Sequence, residues 1–260
     1  MAAPSRERIN EDSVRKATNA LLKWKKKSLL SHPHDGNAAN EEEADDFIYL
    51  SVTLKKVPPR NLSATPHQIL LRRPLLSQDY STSNICLIVD GKRITAESAQ
   101  KILHAKGIPF VKKVFKLSKL KSDYDSFESK KKLYDSFDVF LADKSVEALL
   151  PKVLGRVFYK KRKKIPVAVD LRGDWKEELE RACRSSLWCL SGGTCSSVRV
   201  GRLGAMEIVE NVLDAVDGVV DIVPRKWGGI RCLHLKLSDS LALPIYEDEV
   251  PDGSTLVKRK

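Results

Sequence analysis

The sequence holds little that announces catalysis. It has no GxxxxGK[ST] phosphate loop, no GxGxxG after a candidate strand, and no serine in a GxSxG elbow. The five cysteines, Cys86, Cys183, Cys189, Cys195 and Cys232, are an odd number without a CxxC pair or zinc-knuckle spacing. None stands at a catalytic spacing from a histidine. A reduced compartment, cytosol or nucleus, follows as the expectation. No apolar run approaches the ~20 residues that cross a bilayer, and MAAPSRERINEDSVRK lacks the apolar core of a signal peptide. A soluble, non-secreted protein without membrane contact is expected. Asp90 and Asp143 end candidate strands, where turn formation explains them better than a metal. His32 and His34, in the polar loop HPH, are expected to be solvated. No enzymatic activity, cofactor or metal is expected.

Basic residues, by contrast, are abundant and unevenly placed. The net charge is +12. Residues 84–167 carry 20 Lys and Arg against 9 Asp and Glu, an excess of +11, while residues 1–83 hold +3 and residues 168–260 hold −2. A field of one sign on one third of the chain attracts polyanions, of which nucleic acid is the usual one. The hydrophobic content of 42% is that of an ordinary globular chain.

Periodicity divides the chain in the same way. Val14, Ala17, Leu21 and Trp24 form a helical stripe, with Asp12 or Ser13 as cap. Ile48, Leu50, Val52 and Leu54 alternate as in a half-buried strand, and Ile69 to Leu71 is a second. From Asn84 the pattern changes. ICLIVD is continuously apolar, as in a strand covered on both faces. Thr95 caps a helix to Ala105, followed by a candidate strand near Val111, a helix at SFESKKKLY, the strand FDVFLAD, a helix from Val146 to Tyr159 broken near Pro151, and the strand IPVAVDL. Strand–helix alternation of this kind predicts parallel β-α-β units. DWKEELERACRSSLWCL reads as a helix and RCLHLKL as the last strand. The economical arrangement is an α/β protein with an α+β terminal domain, residues 1–83 plus 168–260, into which a basic, Rossmann-like three-layer domain, residues 84–167, is inserted.

The stretch GTCSSVRVGRLGAMEIVENVL, residues 193–213, joins a glycine-broken strand to an amphipathic helix. Strict alternation sends Val198 and Val200 inward and Ser197, Arg199 and Gly201 outward. Hydroxyl, guanidinium and a glycine that admits close approach suit phosphate contact. In the helix, Met206, Val209, Val212, Leu213 and Val216 share one side, and Glu207, Glu210, Asn211 and Asp214 the other.

VRVG followed by a basic residue and an ENV helix resembles the C-terminal half of the ribosomal protein L1 family. FIYLSVTLKKVP with HQILLRRPLL, and FDVFLAD with LLPKVLGRVFYKKRKKIPV, resemble further parts of it, so that the likeness runs roughly from Val14 to Tyr246. The resemblance implies the L1-like fold and binding of structured ribosomal RNA by the domain built from both termini. Ser197, Val200, Gly201 and Arg202 match one RNA-contacting patch. The other patch is a threonine-methionine-glycine loop after the last strand. This chain has KLSDSLALPIY there, keeping Lys236, Ser238 and Ser240 but losing the Met-Gly pair. The departure makes the chain more similar to the nucleolar L1-domain proteins of eukaryotes that attend large-subunit assembly than to the structural protein of the L1 stalk, which is the alternative reading. A nucleotide-binding Rossmann-like enzyme is a remoter one. The basic runs KWKKK, YKKRKK and KRK agree with import to nucleus and nucleolus. Expected partners are ribosomal or pre-ribosomal RNA and pre-60S assembly proteins, with a monomer outside the particle. Lys160, Lys161, Arg162, Lys163 and Lys164 are expected to add phosphate contacts from the insert.

Overall fold

A computed structural model describes residues 8–31, 47–63, 65–75, 83–160, 164–190, 192–202 and 208–248. In chain order the elements are α1 (Glu11–Ser31), β1 (Phe47–Leu54), α2 (Arg60–Ser63), β2 (His67–Leu70), β3 (Ile85–Val89), α3 (Ala96–Ala105), β4 (Val111–Lys116), α4 (Leu117–Asp123), α5 (Phe127–Ser136), β5 (Val139–Asp143), α6 (Leu150–Leu154), α7 (Arg156–Tyr159), β6 (Val167–Val169), α8 (Trp175–Cys183), β7 (Ser185–Trp188), β8 (Cys195–Arg202), α9 (Ile208–Ile222), β9 (Ile230–Lys236) and β10 (Leu243–Glu247). The fold is mixed α/β, with both antiparallel and parallel sheets. Two compact units emerge, residues 1–66 with 190–260, and residues 67–189.

The terminal unit is an antiparallel sheet in the order β10-β9-β1-β8, with α1 and α9 packed against it. Alternation fixes which face is buried: Ile48, Leu50, Val52 and Leu54 are enclosed, while the residues between them are half-exposed. Helix α9 buries Ile208, Val212, Leu213, Ala215, Val216, Val219 and Val220. Helix α1 buries Val14, Ala17 and Leu21, but Trp24 is 38% exposed. Its cap lies earlier than expected: the Asn10 side chain accepts from the Asp12 N–H at 2.9 Å, and Glu11 and Asp12 form the acidic first turn. RCLHLKL is not the last strand. β10 follows it, tolerating Pro244 because β10 lies at the sheet edge.

The middle unit is built on a parallel sheet in the order β4-β3-β5-β6. Strand β3 is buried throughout and serves two cores. Ile85, Leu87 and Val89 join α3 and α8 on one face, and Cys86 and Ile88 join α4, α5, α6 and α7 on the other. Thr95 and Ser126 cap α3 and α5, each accepting from the N–H three residues on. Helix 146–159 breaks at Gly155, whose φ of 66° is unfavourable for other residues, whereas Pro151 sits harmlessly in the first turn of α6. The segment expected as one helix after Asp170 splits into α8 and β7. Strand β7 pairs with β2, and α8 sinks Trp175, Leu179, Ala182 and Cys183 into the core that holds Ile85, Leu87 and Val89. The flanks of the expected insert, residues 67–83 and 168–189, therefore group with it.

Candidate nucleic-acid interface

The half-exposed side of the terminal sheet brings residues of three strands into register. Tyr49 lies opposite Arg199 on one side and Lys236 on the other. Ser51 lies between Ser197 and His234, and Thr53 between Cys195 and Cys232. At the end of β1, Phe47 takes two cations against its ring, the Arg199 guanidinium at 5.2 Å and that of Arg202 at 5.3 Å. Each such contact contributes about 0.5–1 kcal/mol at an exposed site, a modest bias that favours both guanidinia beside the Phe47 ring. Basic donors, hydroxyls and two aromatic rings thus share one surface. Such a surface can hydrogen-bond phosphates and 2′-hydroxyls and stack against unpaired bases.

The sequence-predicted residues divide on this surface. Ser197 is exposed, Arg199 and Lys236 are half-buried on the same side, and Arg202 is exposed beside Phe47. Gly201 is not among them. A bulge between Ile48 and Tyr49 breaks the alternation, so that Gly201 pairs with the inward-facing Ile48. Gly201 is buried, and a Cβ there would lie 3.2 Å from Cγ1 of Ile208. The side of the glycine where a Cβ would stand faces the following helix, so the outward orientation that strict alternation predicts does not hold. Asn211 was expected on the polar side of α9 and is buried instead, donating from Nδ2 to the Val200 carbonyl at 2.9 Å. Met206 and Glu207 lie outside the described residues.

In the β9–β10 turn, Ser238 is exposed. Ser240 serves the turn itself: its Oγ accepts from the Leu237 N–H at 2.9 Å and donates to the Leu241 carbonyl at 3.0 Å. Leu241, which stands in the loop lacking the Met-Gly pair, is 82% exposed.

The expected basic run of the middle unit is represented by its two ends, because residues 161–163 lie outside the described residues. Lys160 is exposed. Lys164 is engaged: its ammonium donates to the carbonyls of Tyr134 at 3.1 Å and Phe137 at 2.9 Å, and lies 4.9 Å from the centre of the Tyr134 ring. It neutralises the negative end of α5. At the strand ends of the same unit, the Asp143 carboxylate accepts from Ser145 Oγ at 2.6 Å, a turn interaction. His32 and His34 lie outside the described residues. No group of three His, Cys, Asp or Glu suited to a metal occurs among the described residues, and no helix among them is long and apolar enough to cross a membrane.

The aromatics and His234 of this face escape sequence reasoning because they read as ordinary strand residues. The signal that could have found Phe47 is its place in FIYLSV, at the start of a clean alternation whose odd-numbered residues are the half-exposed ones.

Residues 21–241 match the model of the ribosomal protein L1p/L10e family. A Schizosaccharomyces pombe protein named for ribosome biogenesis is 32% identical over 94% of this chain and 67% of its own length. Ribosomal L1 domain-containing protein 1 of Mus musculus is 31% identical over 93% of this chain and 52% of its own. Large ribosomal subunit protein uL1y of Arabidopsis thaliana is 29% identical, over 58% of this chain and 66% of its own. The chain thus spans between about half and two thirds of the length of these relatives.

Proposed function

The chain belongs to the ribosomal protein L1p/L10e family, and we propose that its terminal unit binds structured pre-ribosomal RNA during assembly of the large ribosomal subunit. The observation that carries this reading is the pairing of Arg199 and Arg202 on Phe47, in register with Tyr49, Ser197 and Lys236. The guanidinia suit phosphates, and Phe47 and Tyr49 suit bases splayed from a folded RNA. Relatives named for ribosome biogenesis support a role in that process. Residence in nucleus and nucleolus, with pre-60S proteins as neighbours, belongs to the same proposal.

Two observations favour an assembly factor over a protein of the mature stalk. The match to the S. pombe relative covers 94% of this chain, and that to the plant ribosomal protein 58%. The β9–β10 turn also lacks the threonine-methionine-glycine sequence of the ribosomal members, and ties up the hydroxyl of Ser240.

The test is filter binding of an in vitro transcript of large-subunit pre-rRNA and a scrambled transcript to wild type, Phe47→Ala and the Arg199→Ala/Arg202→Ala pair. Losing a stacking or charged partner costs roughly 1–3 kcal/mol. The loss is expected to be larger on the pre-rRNA. Equal losses on the two transcripts would remove the sheet face as a reader of RNA shape. Sucrose gradients separate the two cellular readings: an assembly factor is absent from polysomes, whereas a stalk protein follows them.

A further inference from the structure

The middle unit carries a second basic surface in a place the sequence motifs did not indicate. Residues 98–122 contain seven lysines and no Asp or Glu. They fold as most of α3, the strand β4 and most of α4. Strand β4 is the edge of the parallel sheet, and both helices pack against it. Core formation explains the apolar members of this segment, since Ala99, Leu103, Val114, Phe115 and Leu120 are buried. The lysines remain outside. Lys101, Lys112, Lys113, Lys119 and Lys121 are exposed, and Lys116 is half-exposed.

Local geometry adds to the display. A register shift between Ile85 and Cys86 leaves Lys112 as an extra residue in β4, so that two consecutive lysines clear the sheet where strict alternation would expose one. Lys112 is steadied by the Asn84 side chain at 2.7 Å, and Lys113 lies 4.8 Å from the centre of the Phe115 ring. Among the described residues, only Lys106 of the seven forms an ion pair, with Asp174 at 2.8 Å. Lysine on an edge strand also discourages strand-to-strand aggregation. That role accounts for Lys112 and Lys113. It does not account for Lys101, Lys119 and Lys121 on the helices, nor for the absence of any acid across the whole segment.

We propose that the β4 edge and its two helices form a docking strip for the phosphate backbone of RNA. The proposal rests on the RNA-binding reading above and assigns the insert's contribution to this strip. Phe115 is buried beneath Lys113, and the strip offers ammonium groups without an exposed ring. Contacts of that kind position an RNA without reading its sequence.

The experiment compares five proteins, each the whole 260-residue chain, in filter binding across a salt series: wild type, the strip variant, its Arg counterpart, an α5 control and Arg199→Ala/Arg202→Ala. The probes are a large-subunit pre-rRNA transcript, its scrambled control and polyglutamate. The strip variant is Lys101→Gln/Lys113→Gln/Lys119→Gln/Lys121→Gln. Its Arg counterpart keeps the charge. A control, Lys130→Gln/Lys131→Gln/Lys132→Gln, removes charge from α5, where Glu128 and Asp135 stand four residues from Lys132 and Lys131. Each phosphate contact contributes about 0.7–0.9 to the slope of log affinity against log salt. The Gln strip variant is expected to flatten that slope by up to about 3 on both RNAs, the Arg variant to restore it, and the α5 control to change it far less. An unchanged slope in the Gln strip variant, beside weakened binding by Arg199→Ala/Arg202→Ala, would overturn the strip alone. A wild type that binds neither RNA at low salt would overturn the RNA reading and the strip with it. A strip variant that loses polyglutamate but keeps its RNA slope would make the partner an acidic protein segment and overturn the proposal. Thermal melts of all five proteins check that each is folded.

Discussion

The side-chain amide of Asn211, buried in α9, donates to the carbonyl of Val200 at 2.9 Å, beside the bulge that ends the candidate RNA-binding strand. This bond ties the helix to the bulge and so to the direction in which Arg199 and Arg202 leave the strand. Asn211→Leu leaves the Val200 carbonyl without that donor in a dry environment. A loss of about 1–3 kcal/mol in unfolding free energy is expected by denaturant titration. RNA affinity is expected to fall as well, at temperatures where the variant is fully folded. Unchanged stability would show that the bond is dispensable.

Gly201→Ala separates two uses of a glycine. The added methyl meets Cγ1 of Ile208 at 3.2 Å, and Ile208 is itself buried. The expected outcome is a loss of roughly 1 kcal/mol of stability from overpacking, read as a lowered melting temperature, with RNA affinity unchanged below the transition. Reduced affinity at unchanged stability would mean that Gly201 meets the RNA backbone after all.

Much of this architecture was legible in the residues. The alternation of Ile48, Leu50, Val52 and Leu54 and the unbroken ICLIVD run distinguish a half-covered strand from a doubly covered one, and the structure has both. Position along an element was harder to read. The bulge that turns Gly201 inward depends on the pairing of β1 with β8, across more than a hundred residues of chain. The burial of Asn211 is not visible in helical periodicity either, because its partner is the Val200 carbonyl of the preceding strand β8, eleven residues back. RSSLW reads as helix locally and becomes a strand because β2 offers a partner. Lys164 reads as one of five equivalent cations, and only the end of α5 distinguishes it.

Lys164→Gln is accordingly a stability variant. Hydrogen bonds from a charged donor contribute about 1.5–3 kcal/mol each at most, and partial exposure reduces that figure, so a loss of about 1 kcal/mol is expected by thermal or denaturant unfolding. The salt slope of RNA binding is expected to stay unchanged. A flattened slope with intact stability would return Lys164 to the set of phosphate contacts.

The cysteines give a chemical footprint of the sheet face. Cys195 is exposed beside Ser51, with Sγ 3.5 Å from Oγ. Cys86 and Cys183 are buried, and burial pushes both thiols up, that of Cys183 to about 12. Only the thiolate reacts readily. Alkylation followed by mass spectrometry is expected to modify Cys195 first in the native protein and to reach Cys86 and Cys183 only on unfolding. Bound pre-rRNA is expected to slow Cys195 several-fold. An unprotected Cys195 at saturating RNA would place the ligand elsewhere.

The central claim, that RNA lies on the open face of the terminal sheet, is tested most directly by ultraviolet crosslinking in cells followed by mass spectrometry of the nucleotide-bearing peptides. The account predicts adducts on Phe47 or Tyr49 of β1 and on β8 or β9 near Arg199 and His234, with pre-ribosomal RNA as the attached species. Adducts confined to residues 84–160, with none on β1, β8 or β9, would contradict it.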